Sequence, residues 1–333
     1  EPYAKTPSLL CHRLRLVAQA LLIALWCATP AACFSLRGFC SLHPQRRLQS
    51  SSLRGGGAEG AAQTPTMSAK IAVVTGANKG IGKEVARILG KTAGVHTIMA
   101  CRNPSLGQAA LEELKRDGCD VEMMPLDIDS QSSIDSFKSK IQAAYPQGFD
   151  ILVNNAAIAF KGADPTPFGE QSEPTIRVNF KGTVDVCEAL TPLLKNGGRV
   201  STVASLSGTL KGYSPALAAK LRSDMTREEL FELADLFVKS AQAGTHSQAG
   251  FPNTNYGVSK ALVIAYTRTL ARQLKGRDIL VNCCCPGYCM TDMSSQRGNK
   301  SASQGADTPS HLALLPDRSP TGQFWSDRQV LQW

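Results

Sequence analysis

The chain has 333 residues, 43% of them hydrophobic, and 36 Lys and Arg against 27 Asp and Glu give a net charge of +9. This is the profile of one large or two small globular domains, and it excludes a collagen-like or wholly disordered chain. The charge is uneven: residues 1–66 hold seven basic and two acidic residues, which leaves +4 of mixed sign for the rest, too little for a nucleic-acid footprint.

The first 66 residues read as an extension. Arg13 and Arg15 precede an apolar run and then small residues, through Cys33, which is the layout of a secretory signal peptide. The run is shorter than the roughly 20 apolar residues of a membrane span. From Phe34 the sequence is rich in Arg and Ser and poor in acid, as transit peptides are. Together these resemble a bipartite plastid presequence. Met67, in MSAK, is the alternative start of a cytoplasmic protein. On either reading 1–66 is largely disordered and 67–333 forms one domain.

KIAVVTG (70–76) is a short apolar run ending in glycine, a buried strand. A turn with Gly76, Gly80 and Gly82 leads into helical spacing at Ile81, Val85, Ile88 and Leu89. Glycines between a strand and a helix let backbone approach a phosphate, and the helix N-terminus favours its charge. The spacing is G-x3-G-x-G, and an empty glycine-rich cap is the plain alternative. VHTIMAC (95–101) is a second strand. An acidic side chain usually holds a free ribose 2′-hydroxyl at its end. None lies between Val95 and Asn103; Arg102 stands there, with Lys79 in the glycine turn. Two cations suit a 2′-phosphate, hence NADP(H).

A helix over Leu106–Asp117, a strand over Val121–Leu126, a helix over Ser133–Ala144 and a strand in FDILVNNA (149–156) follow. A single helix over Glu173–Leu194 leads to a fifth strand, GGRVSTVAS (197–205). Thr226 and Glu229 form a capping box before Leu230, Leu233, Ala234 and Phe237, with Gly244 as the stop; this is an amphipathic helix. Asn255–Leu274 is the next helix. It carries Tyr256 and Lys260 on one face, where an ammonium would lower the phenol pKa and make it a general acid. Ser205, at the preceding strand end, is the second donor.

The sixth strand, Ile279–Cys285, ends in three consecutive cysteines, with Cys289 after a Pro286-Gly287 turn. Alternation sends neighbouring cysteines to opposite faces, so they cannot close a tetrahedral metal site; they pack as small hydrophobes. No metal is expected. The alternation of strands and helices predicts an α/β fold, a doubly wound parallel sheet of Rossmann type with a helical insert at about 207–254.

TGANKGIG (75–82), LDID (126–129), NNAA (154–157), Asn179, Ser205, YGVSK (256–260) and Thr291 after Pro286-Gly287 resemble the short-chain dehydrogenase/reductase family. NNAAIAFKGADPTPF, CCPGY and GQFWSDRQVLQW are similar to its monomeric carbonyl reductases. The resemblance spans about 68–333. It implies NADPH-dependent reduction of ketones, aldehydes and quinones. Tyr256 would be the general acid, Lys260 would bind the nicotinamide ribose and lower the Tyr256 pKa, Ser205 would hold the substrate oxygen, and Asn179 would support Lys260 through a water. Cofactor contacts would come from Gly76, Asn78, Lys79, Gly80, Ile81, Gly82, Arg102, Asp127, Ile128, Asn154, Tyr256, Lys260, Pro286, Gly287 and Thr291. Phe160, Leu206, Tyr288 and Cys285 would face substrate. The insert would cover the family's assembly surface and leave a monomer. Ala157 and Tyr288 depart from the family's glycine and tryptophan, which puts the ribose contact and the pocket shape in question. A specialised plastid reductase and a silent NADPH-binding sensor are the other readings.

Overall fold

The computed structural model describes residues 69–333, so the expectations for residues 1–66 lie outside the described residues. One eight-stranded sheet organises the rest, in the order β3-β2-β1-β4-β5-β6-β7-β8. Its strands are β1 (Lys70–Thr75), β2 (Val95–Cys101), β3 (Val121–Pro125), β4 (Phe149–Asn154), β5 (Leu194–Val203), β6 (Leu280–Cys285), β7 (Phe324–Ser326) and β8 (Gln329–Leu331). All neighbours are parallel except β7 and β8. The order runs outward from β1 in one direction and from β4 in the other, so the crevice of the doubly wound fold lies above that pair.

Helices cover both faces. α1 (Gly80–Lys91), α2 (Pro104–Arg116) and, late in the chain, α9 (Ala302–Ala313) line one face; α3 (Gln131–Ala144), α4 (Phe168–Ile176), α5 (Gly182–Leu190) and α8 (Asn255–Gln273) line the other. Strand alternation builds the two cores. Ile71 and Val73 belong to one apolar cluster and Ala72 and Val74 to the other, as the two-residue period requires.

The cysteine strand obeys the same rule. Cys283 and Cys285 join the core beneath α8, while Cys284 packs with Leu312 and Trp325 on the opposite face. All seven cysteines of the described residues are free and buried. Burial pushes the Cys283 thiol up to about 12, the state of an unreactive packing residue.

The helix expected over Glu173–Leu194 is interrupted. Between α4 and α5 the chain makes a π-turn, Arg177–Lys181, and it ends in a 3₁₀ turn, Thr191–Leu193. Asn179 sits in the π-turn. Its carboxamide accepts from Ile158 N at 2.8 Å and donates to Ile158 O at 2.9 Å. Docking a helix side chain onto a loop backbone in this way is a local demand that periodicity does not reveal.

The insert contains α6 (Pro215–Arg222) and α7 (Arg227–Gln242). Both bonds of the expected capping box form, Glu229 N to Thr226 Oγ1 at 3.2 Å and Thr226 N to Glu229 Oε2 at 2.8 Å. α7 buries Leu230, Leu233, Ala234, Phe237 and Val238 in the same core as residues of α4 and α8.

Candidate active site

Five segments converge at the C-terminal edge of the sheet: the glycine turn after β1, the loop after β4, the turn after β5, the start of α8, and the Pro286-Gly287 turn after β6. The glycine turn is built for close approach. Gly76 and Gly80 have φ of +65° and +54°, the region open to glycine at no steric cost. A Cβ on Gly82 would run into Asn155 Nδ2 and Gly76 O. Thr75 Oγ1 accepts from Asn155 N and Ala156 N, both at 3.0 Å, and Asn155 Nδ2 donates to Thr75 O at 3.0 Å. Thr75 and Asn155 thus lock the turn to β4; both lay inside quoted motifs, but the sequence reading gave them no role.

Lys79 occupies the N-cap of α1 without a side-chain cap, and no acidic residue lies in the first turn. Free N–H groups and the helix dipole therefore face the crevice beside Asn78, Gly80 and Ile81, the chemistry a pyrophosphate needs. These residues fit a dinucleotide. Arg102 follows β2 directly and is exposed. Lys79 was expected to be a second free cation, but its Nζ pairs with Asp292 at 2.9 Å. The pair is exposed on both sides and so is weak. It nevertheless bridges the glycine turn to the segment carrying Thr291, whose Cγ2 would lie 3.3 Å from a Cβ on Gly80.

Asp127 Oδ1 accepts from Asp129 N at 3.1 Å and Ile128 is buried. The Asn154 side chain turns into the sheet, where Nδ2 reaches Cys187 Sγ at 3.2 Å and Thr202 Oγ1 at 3.3 Å. Nδ2 is thus held in the interior, while Oδ1 is buried with no partner among the described residues. Ala157 is not among the residues with positive φ, so its methyl carries no backbone strain there.

α8 begins one residue before Tyr256. Thr254 caps it, accepting from Gly257 N at 3.0 Å, and Asn255 Nδ2 ties it to Phe168 O at 2.9 Å. This fixes Tyr256, half-buried, in the first turn beside Ser205. Lys260 Nζ lies 5.6 Å from the Tyr256 ring centroid and donates to Val203 O at 2.8 Å.

The expected electrostatics need correcting. Burial pushes the Tyr256 phenol up to about 12, with Cys285 adding to the rise and the Ser205 hydrogen bond opposing it. Burial also brings Lys260 down to about 8. Desolvation dominates both shifts, since each charged form loses water on burial. Asn179 Nδ2 reaches Ser259 Oγ at 3.1 Å, which docks the π-turn onto α8 next to Lys260.

Gly287 has φ of +87° and its N–H donates to Cys285 Sγ at 3.3 Å beyond Pro286. Leu206, Tyr288, Met290 and Met293 are large apolar residues left exposed, and Phe160 is half-buried in the loop after β4. The two methionines escaped the sequence reading because a surface loop has no periodicity to flag them.

A fold with this strand order, a glycine turn open to a dinucleotide and a Ser–Tyr–Lys cluster leaves few families to consider. The family profile for short chain dehydrogenase matches residues 70–221, and one described as enoyl-(acyl carrier protein) reductase matches 237–313. Human carbonyl reductase [NADPH] 1 is 44% identical over 272 residues, covering 79% of this chain and 98% of that protein. The chain belongs to the short-chain dehydrogenase family. The mouse carbonyl reductase [NADPH] 1 is 43% identical over the same shares. Among solved structures of the family's fold, salutaridine reductase from Papaver somniferum aligns with a TM-score of 0.71 at 30% identity, covering 78% of this chain and 99% of that one. Menthone neomenthol reductase from Mentha piperita aligns at 0.67 and 27%, with the same coverage. The chain is therefore an oxidoreductase related to the carbonyl reductases.

Proposed function

We propose that the chain is an NADPH-dependent carbonyl reductase that converts ketones, aldehydes and quinones to alcohols. The observation that carries this reading is the half-buried Tyr256 beside Ser205, with the Lys260 ammonium 5.6 Å from its ring centroid on the same helix face. Gly76, Asn78, Gly80, Ile81 and Gly82 would cradle the pyrophosphate of NADPH, with Arg102 at the 2′-phosphate and Asp127, Ile128 and Asn154 about the adenosine. Lys260 would hold the nicotinamide ribose, and Pro286, Gly287 and Thr291 would flank the ring. When bound, the nicotinamide supplies the hydride. Tyr256 holds a proton that burial keeps on its oxygen well above neutral pH, and delivers it from Oη to the substrate oxygen. Ser205 Oγ orients that oxygen. Lys260, with a pKa near 8, remains largely protonated at pH 7, and its charge would stabilise the phenolate until a proton from solvent restores the phenol. Leu206, Tyr288, Phe160 and the exposed Met290 and Met293 favour bulky apolar carbonyl compounds, because thioether side chains adapt to varied shapes.

Steady-state oxidation of NADPH by the purified chain with menadione or an aromatic aldehyde tests the reading. Turnover is expected. Tight NADPH binding without turnover on any carbonyl would instead identify a sensor. Arg102→Asp removes an attraction to the 2′-phosphate and adds a repulsion. The kcat/KM ratio of NADPH to NADH is expected to fall by at least about tenfold, which is about 1.4 kcal/mol; an unchanged ratio would show that Arg102 does not read the phosphate.

The α7 cover over α4 and α8 supports a monomer, since it occupies the flank of the helix that bears Tyr256. Among the described residues no helix is long and apolar enough to cross a membrane. Whether the protein works in the cytoplasm or a plastid turns on residues 1–66.

A further inference from the structure

The turn that carries Ser205 is held by a residue more than a hundred positions away. Ser205–Gly208 closes as a 3₁₀ turn, with Gly208 N donating to Ser205 O at 2.9 Å and Ser207 N to Ser205 Oγ at 3.1 Å. So short a turn makes few bonds of its own. One side rests on α8: a Cβ on Gly208 would lie 2.7 Å from Lys260 C and 2.8 Å from Ala261 N, and one on Gly257 would lie 2.7 Å from Ser207 O. On another side, Trp333 Nε1 donates to Gly208 O at 2.7 Å. Trp333 is itself fixed. It follows β8, packs half-buried on the main core, and its carbonyl accepts from Arg222 Nε of α6 at 3.1 Å.

We propose that Trp333 is a positioning residue for Ser205, and that its indole N–H sets the turn so that the Ser205 hydroxyl meets the Tyr256 oxygen. This rests on the carbonyl-reductase reading for its kinetic consequences only. Without the indole bond, the Gly208 carbonyl loses its anchor and the turn relaxes about its contact with α8. The Ser205 hydroxyl then sits less well beside Tyr256, and its opposition to the rise in the phenol pKa weakens. Arg222 supports the same residue from the insert, which gives α6 a share in the arrangement of the site.

The test replaces the Trp333 indole with benzothiophene, by incorporating 3-benzothienylalanine in the full chain; this keeps the shape and removes the N–H. 4-Fluorotryptophan, which keeps it, is the rescue control. The expected result is a fall in kcat of about tenfold, the scale of one neutral hydrogen bond, with the NADPH dissociation constant unchanged. The high-pH limb of the kcat profile should move upward, and Gly208 and Thr209 amides should exchange with deuterium about tenfold faster. The fluorotryptophan protein should match the wild type. A purely structural role would lower thermal stability without moving the pH limb. Unchanged exchange at Gly208 and Thr209 would overturn the proposal whether or not the chain reduces carbonyls. Unchanged kcat and pH limb in a wild type that is active on carbonyls would overturn it while leaving the activity reading intact.

Discussion

Tyr256→Phe is expected to remove most turnover while leaving NADPH binding within a fewfold of wild type. The ring remains to fill its place in the first turn of α8, and only the proton donor goes. General acid catalysis is worth about 10²–10⁴-fold, so kcat for an aromatic aldehyde should fall by that range with little change in KM. Fluorescence titration of NADPH separates the two effects. A variant that kept near-wild-type kcat would show that the proton comes from elsewhere, and Ser205 would be the next candidate.

Lys260→Met is expected to lose activity and gain stability. Lys260 is 3% exposed, and burial holds its pKa near 8, below the usual value of about 10.4. Below pH 8 it is charged in both the folded and unfolded chain, and the fold bears the full cost of burying the charge. Between about pH 8 and 10.4 the unfolded chain binds more protons than the folded one, so stability rises with pH through that window. The whole rise is on the order of 3 kcal/mol. Tyr256 acts in the opposite sense. Its pKa is raised to about 12, so its contribution is present below the unfolded value near 10 and falls away as pH climbs toward 12. Buried thiols such as Cys283, also raised, act in the same sense as Tyr256 from the lower unfolded thiol value upward, so the Lys260 rise is read as the difference between wild type and Lys260→Met in chemical denaturation of the cofactor-free chain. In Lys260→Met the rise should vanish and stability at pH 7 should increase, offset in part by the Val203 carbonyl left without its donor. A variant less stable than wild type at pH 7 would show that the ammonium is well solvated in place.

Most of the parallel sheet was legible because buried strands announce themselves. β2 spans Val95–Cys101, the whole of the expected run. Thr226 and Glu229 located α7 to the residue, since a reciprocal cap is a local device written in two side chains. Ser301 and Gln304 form the same device at the start of α9, but Pro309 within that helix hides its pattern. α6 went unread although Ser214-Pro215 is a helix-start signature. β7 and β8 have three residues each, too few to show alternation. At the site, the residues Ser205, Tyr256 and Lys260 could be named from spacing. Their ionisation could not, because the desolvation that moves Tyr256 up and Lys260 down depends on the surrounding walls. The commitments of Asn154 to Thr202 and Cys187, and of Lys79 to Asp292, likewise arise from chain segments that sequence distance keeps apart.

The sulfur-bearing strand β6 also offers a built-in stopwatch. Cys283 and Cys284 are both 0% exposed but face opposite layers of the fold. A small thiol reagent can reach either one only when the layer above it lifts. Pulse labelling followed by peptide mass spectrometry would time the two openings separately on the same six-residue strand. It would reveal whether the α8 side, which carries the proton donor, breathes at the same rate as the side beneath α9, or whether one half of the molecule comes apart first.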